Sequence, residues 1–138
     1  MSTNQKKPNR EFRNLSLRNI TVDYNLPMPG KVSILHRVSG ALLFLALPIV
    51  FVPLFAASVN SSASFANLGS GFSGFLLKLI LLVLLWGFMH HLCAGIRFLT
   101  LDMGRGLEKP EANKSAKLVL IVSLVLTFIF AIKMFGAL

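Results

Sequence analysis

Leu79-Ile-Leu-Leu-Val-Leu-Leu-Trp-Gly-Phe-Met-His90-His91-Leu-Cys-Ala-Gly95-Ile96 contains no charged side chain between Lys78 and Arg97. A bilayer core needs about 20 apolar residues of helix, with a working range of about 17–25. Two more runs have this character: Val38 to Ala57, and Leu118 to Ile132 between Lys117 and Lys133. The last is short, but Lys133 can snorkel to the interface and Met134 to Leu138 extend it. The sequence therefore predicts an all-α integral membrane protein. Its three transmembrane helices fall at about 34–57, 73–101 and 116–137.

The composition agrees. Hydrophobic residues make up 54% of the 138, and the mean hydropathy is +0.70, too apolar for an ordinary soluble domain. With 12 Phe but one Trp and one Tyr, the usual interfacial aromatic belt is nearly missing. The net charge of +9 is gathered outside the apolar runs. It reads as a topology signal with attraction to anionic lipid, and no soluble domain is present to bind nucleic acid. Lone Cys93 excludes an internal disulfide and sits as a small packing residue.

The basic residues set an expected orientation. Lys6, Lys7, Arg10, Arg13, Arg18 and Lys31 precede the first span, so residues 1–32 form a basic cytoplasmic segment ahead of a membrane domain at 33–138. Arg105, Lys109, Lys114 and Lys117 lie between the second and third, while Ser58 to Gly74 has no charge. The positive-inside rule puts the N-terminus and second loop in the cytoplasm and the C-terminus outside, with Lys133 a lone vote against. The first 30 residues lack the apolar core of a secretory signal. Glu11, Asp23 and the absence of an amphipathic repeat also set them apart from a transit peptide. The expected location is a bacterial inner membrane, ahead of a mitochondrial one. Pro27, Pro29 and Gly30 break the chain before the first span. Pro48 and Pro53 are expected to kink it.

Two polar clusters interrupt this apolar pattern. Ser33-Ile-Leu-His36-Arg37-Val-Ser39-Gly40 stands at the mouth of the first span. Ser33 and Arg37 are four apart and share a helix face, which Gly40 continues. A hydroxyl beside a guanidinium, with a glycine admitting a flat ring, could hold a quinone carbonyl and stabilise the charge its reduction creates. The plainer reading is that Ser33 caps the helix and Arg37 anchors it at the head groups.

The second cluster is His90-His91-Leu-Cys-Ala-Gly95-Ile-Arg97. His91 lies 11 residues before Asp102, or about 16 Å down a helix, near mid-membrane. Gly87, His91 and Gly95 form one stripe, which suits either a large planar group or close helix packing. Buried histidine can ligate a haem iron. His90 competes for that role and shares a face with Arg97, where an arginine could pair with a propionate. Helical angle alone does not choose between the two. Neither His36 nor His90 has an obviously matched depth on another helix, so a second axial ligand is expected from a partner chain. The three spans then form part of a heteromeric helix bundle.

The first cluster closely resembles the signature of the cytochrome b membrane-anchor subunit of succinate dehydrogenase. The rest of that family's pattern is His, three residues, Gly, one residue, Arg-His, then Asp four beyond the last His. Here it reads His91-Leu-Cys-Ala-Gly95-Ile-Arg97-Phe98-Leu-Thr-Leu-Asp102, with Phe98 in place of the second histidine. The resemblance implies that His91 is the axial ligand of a haem b shared with a second hydrophobic anchor. It implies that Ser33 and Arg37 line a ubiquinone pocket and that His36 and Arg37 lie near the haem propionates. Arg97 is expected as a further haem contact. It also implies a flavoprotein and an iron–sulfur subunit as partners, with electrons passing to ubiquinone and no catalysis by this chain alone. The alternatives are the cytochrome subunit of another quinone-linked dehydrogenase, such as fumarate reductase, and a non-redox small membrane subunit.

Overall fold

The computed structural model describes residues 26–136, so most of the basic N-terminal segment lies outside the described residues. The first helix begins as α1 (Met28–Ala46), passes through a π-helical turn (Leu47–Phe51) and continues as α2 (Val52–Asn60). Short α3 (Ser62–Leu68) follows, then the long α4 (Gly71–Asp102) and α5 (Lys109–Gly136). Three of these units are long and apolar enough to cross a membrane: Met28–Asn60, Gly71–Asp102 and Lys109–Gly136.

The helices start earlier than the hydropathy pattern predicts, and proline explains why. Pro27 is extended and precedes the first helical residue, and Pro29 sits in the first turn. The backbone N–H groups there have no intrahelical acceptor, so a residue without one costs nothing. These prolines open α1 instead of breaking the chain before it. Pro110 likewise lies in the first turn of α5. Ser33 is therefore well inside α1 and caps nothing. Further along, Pro48 and Pro53 have no N–H to give the α-helical ladder. The ladder slips by one residue between them, and the Val52 N–H donates to the Leu47 carbonyl five residues back. The expected disturbance thus takes the form of a π turn.

The uncharged loop contains α3, which Ser61 caps by accepting from the Ser64 N–H at 3.1 Å. At the other end α4 stops on Gly104, whose φ of 75° needs no Cβ. The Gly104 N–H donates to the Leu101 carbonyl and the Arg105 N–H to the Thr100 carbonyl, closing the helix end.

α4 packs against both α1 and α5, and α1 also touches α5. At the contact lie Val32, Ala94, Ala116 and Val119, mostly small residues that let backbones approach. Half-buried Cys93 packs beside them as a free thiol. Large apolar residues mostly point outward: Phe44 is 75% and Phe72 81% exposed. A chain with so little interior and so much apolar exterior is built for lipid and other apolar helices, not for water.

Candidate functional site

His36 from α1 and His91 from α4 meet across the helix contact. Their rings stack with centroids 4.1 Å apart and planes 12° from parallel. The His91 Nδ1 lies 3.1 Å from the His36 carbonyl oxygen. A carbonyl only accepts, so Nδ1 carries the proton and Nε2 keeps its lone pair. The buried Ser39 hydroxyl donates to the same His36 carbonyl at 3.0 Å and presents its oxygen to Nδ1 at 3.3 Å. Among the described residues Nε2 makes no hydrogen bond.

Gly40 is what allows the contact. A Cβ on it would stand 2.9 Å from the His91 Cε1. The flat ring this glycine admits is thus the His91 imidazole. The glycine stripe of α4 also serves packing. A Cβ on Gly87 would meet Leu42 and Ser39, and one on Gly95 would come 3.7 Å from the His36 Nε2.

His91 also borders a cavity of about 630 Å³, lined among others by Leu43, Leu47 and Phe51 from the first helix and by Leu84 and Phe88 from α4. Its size lies within the range of small-molecule and cofactor sites, and such sites are mostly apolar with a few placed polar groups. Two of these residues, Leu47 and Phe51, bound the π turn.

The other expected residues are distributed as follows. Ser33 is half-buried and Arg37 exposed, in the second and third turns of α1. The His36 Nε2 is buried without a partner among the described residues, and Phe98 packs on that ring at 5.1 Å. His90 is fully buried and stacks near Trp86 at 5.6 Å, with neither ring nitrogen partnered among the described residues. Arg97 is turned toward α5. Its Nε donates to the Ser115 Oγ at 2.9 Å and its Nη2 to the Ala112 carbonyl at 3.2 Å, with its Cζ 5.5 Å over the Phe98 ring. The fold therefore brings His36 and His91 together and engages Arg97 with α5 instead of beside His91. Ser39 is the residue that sequence reasoning passed over. Its only signal was a place three beyond His36, where a helical hydroxyl reaches back to a carbonyl.

The family model described as succinate dehydrogenase/fumarate reductase transmembrane subunit matches residues 10–130. A succinate dehydrogenase cytochrome b556 subunit of Coxiella burnetii is 36% identical over 104 residues, covering 74% of this chain and 82% of that protein. The like-named subunit of Paracoccus denitrificans is 34% identical over 112 residues, covering 81% and 85%. A succinate dehydrogenase cytochrome b560 subunit of Reclinomonas americana is 32% identical over 112 residues, covering 77% and 76%.

Proposed function

This chain belongs to the succinate dehydrogenase/fumarate reductase transmembrane subunit family, and from that premise we propose how its residues serve the complex. It is a membrane-anchor subunit of complex II, and its relatives carry the name cytochrome b. The proposal is that His91 is the axial ligand of a haem b and that Ser33 and Arg37 line the site where ubiquinone is reduced.

The observation that carries the haem reading is the His91 imidazole itself. Ligating histidines usually give their other N–H to a carbonyl or carboxylate, which fixes the tautomer and the ring. Here Nδ1 is held on the His36 carbonyl, Nε2 is left with its lone pair, and the residue borders an apolar cavity. The donor set therefore fits the cofactor. His90 fits it poorly, because its ring is wholly enclosed by its own chain. His36 does not suit a second axial position: its ring lies flat on that of His91, leaving no room for a macrocycle between them. This supports a ligand from a second hydrophobic anchor. His36 and Arg37 would lie near the propionates, with the exposed Arg37 the cation to meet them. Held by His91, haem b would supply a one-electron store.

In the second and third turns of α1, half-buried Ser33 and exposed Arg37 offer a hydroxyl and a cation to the oxygens of a quinone ring. Negative charge develops on those oxygens as electrons arrive, and prepositioned donors stabilise it. The electrons would come from a flavoprotein through an iron–sulfur subunit docked on the basic cytoplasmic face. The proposed setting is a bacterial inner membrane with the N-terminus in the cytoplasm, and the chain is not catalytic alone.

The test replaces His91 and, separately, His90 with Ala and compares reduced-minus-oxidised spectra of the assembled complex. His91→Ala is expected to abolish the native axial signature, and His90→Ala to keep it. The opposite result overturns the assignment. Haem content alone decides little, because a partner ligand and the pocket can retain the group.

A further inference from the structure

We propose that Ser39 and Gly40 are positioning residues for His91: with the His36 carbonyl, they form a three-point cradle on α1 that fixes the plane and the proton of the imidazole. This rests on His91 being the axial ligand.

The spacing explains why one helix can do this. Residues 36, 39 and 40 are three and four apart, so they crowd one face of α1, the face turned to α4. The first point is the His36 carbonyl, which takes the Nδ1 proton at 3.1 Å. The second is the Ser39 hydroxyl. It gives its only proton to that carbonyl at 3.0 Å, so its oxygen faces Nδ1 as an acceptor at 3.3 Å. Ser39 is 1% exposed, so water does not compete at this site. The third is the bare Cα of Gly40. A Cβ there would come within 2.9 Å of Cε1, closer than carbon atoms pack.

Cε1 is the ring atom least able to yield. It lies between the two nitrogens, one held by α1 and the other left for the metal. Any shift that relieves a Gly40 side chain must disturb the Nδ1 bond, the Nε2 direction, or both. Gly87 provides the internal comparison. It faces the same helix contact, yet a Cβ there meets the flexible end of Leu42 at 3.5 Å and no imidazole atom within 4 Å.

The Ser39 hydroxyl tunes the ligand as well as orienting it. While present, it shares the Nδ1 proton and occupies the His36 carbonyl. Without it, Nδ1 donates to that carbonyl alone. The basicity of the imidazole as a ligand follows the hydrogen bonds at that nitrogen, and so does the balance between oxidised and reduced metal. Ser39→Ala takes one acceptor from the Nδ1 proton and frees the His36 carbonyl, so it should shift the haem midpoint potential, whereas loss of a simple packing contact would not.

The experiment uses the assembled complex in its native membrane and reads low-spin haem electron paramagnetic resonance and redox titration. The set is Gly40→Ala, Gly87→Ala, Ser39→Ala and His91→Ala. Gly40→Ala is expected to shift or broaden the low-spin signal, Gly87→Ala to keep it, and Ser39→Ala to shift the potential at unchanged haem content. A native signal in Gly40→Ala, or an equal change in Gly87→Ala, removes Gly40 from the cradle and returns it to helix packing. An unchanged potential in Ser39→Ala removes Ser39. If Gly40→Ala does not assemble, Ser39→Ala decides by the same criterion. A native low-spin signal in His91→Ala overturns the ligand reading and the cradle with it. An altered one beside native Gly40→Ala and Ser39→Ala overturns the cradle alone.

Discussion

Removing the guanidinium of Arg97 should loosen α4 from α5 and leave the haem spectrum unchanged. Arg97 is only 6% exposed and gives two hydrogen bonds across the helix pair, to the Ser115 Oγ and the Ala112 carbonyl. Interhelical hydrogen bonds in membranes average about 0.6 kcal/mol and reach about 1.7, so two are worth roughly 1–3 kcal/mol. The contact over Phe98 lies within α4 and adds nothing to the helix pair. Two effects pull the other way. Arg97 stands five residues from the end of α4, about 7.5 Å along the axis, so removing its charge relieves some desolvation but less than at the bilayer centre. The Ser115 hydroxyl also donates to the Ala112 carbonyl at 3.1 Å, so Arg97→Ala leaves neither atom without a partner. The expected net loss is therefore about 1–2 kcal/mol. Thermal dissociation of the detergent-purified complex should read it as a lower midpoint. Arg97→Lys should recover only part, because an ammonium cannot span both acceptors as the planar fork does. A double-mutant cycle with Ser115→Ala should show coupling above about 0.5 kcal/mol. An additive cycle, or a stable Arg97→Ala complex with an altered haem spectrum, refutes this and returns Arg97 to the haem.

Ser33→Ala and Arg37→Lys should each slow quinone reduction, up to the roughly 100- to 1000-fold that losing one donor to a developing oxyanion can cost, and less if the site is wet. Succinate oxidation by an upstream soluble acceptor should stay near normal; equal falls in both activities, matching lost complex, would make the residues structural. A cysteine at Asn60, in a Cys93→Ser background, should react with an impermeant thiol reagent in intact cells, and one at Asn113 should not; the reverse pattern inverts the topology. Gly104→Ala should cost about 1–2 kcal/mol, because its φ of 75° is strained for an L side chain, and Gly104→Asn less; equal thermal midpoints would show that the α4 terminus is not held there.

The three spans were legible because a bilayer demands length and apolarity, and both are properties of composition. Their ends were not, because helices continue into the head groups, where hydropathy no longer reports them. That displacement had a consequence. A first span opening at residue 34 puts His36 at its mouth, without a match in depth to His91. The helix in fact begins at Met28, which puts His36 eight residues in, about 12 Å, against about 16 Å for His91. The stacked pair follows from that correction. The bonds of Arg97 to Ser115 and Ala112 were hidden for a different reason: helical angle relates Arg97 to His90 but does not say which side of α4 faces α5.

The glycine stripe of α4 shows how far periodicity can be taken. Gly87, His91 and Gly95 share one face, and sequence alone left that face to either a planar cofactor or a neighbouring helix. The packing answer holds for the glycines, and the cofactor answer rests on the proposal for His91. The glycines admit α1, while His91 borders a cavity on the flank of the contact. Leu47 and Phe51, at the two ends of the π turn, line that cavity. A proline in the sequence announces that the ladder is disturbed but not how the helix will absorb it. Which side chains the slipped turn carries to the cavity depends on where the extra residue is accommodated, and the prolines alone do not fix that. The cavity beside His91 is assembled from α1, the π turn, α4 and Met134 of α5, so no local pattern could have located it.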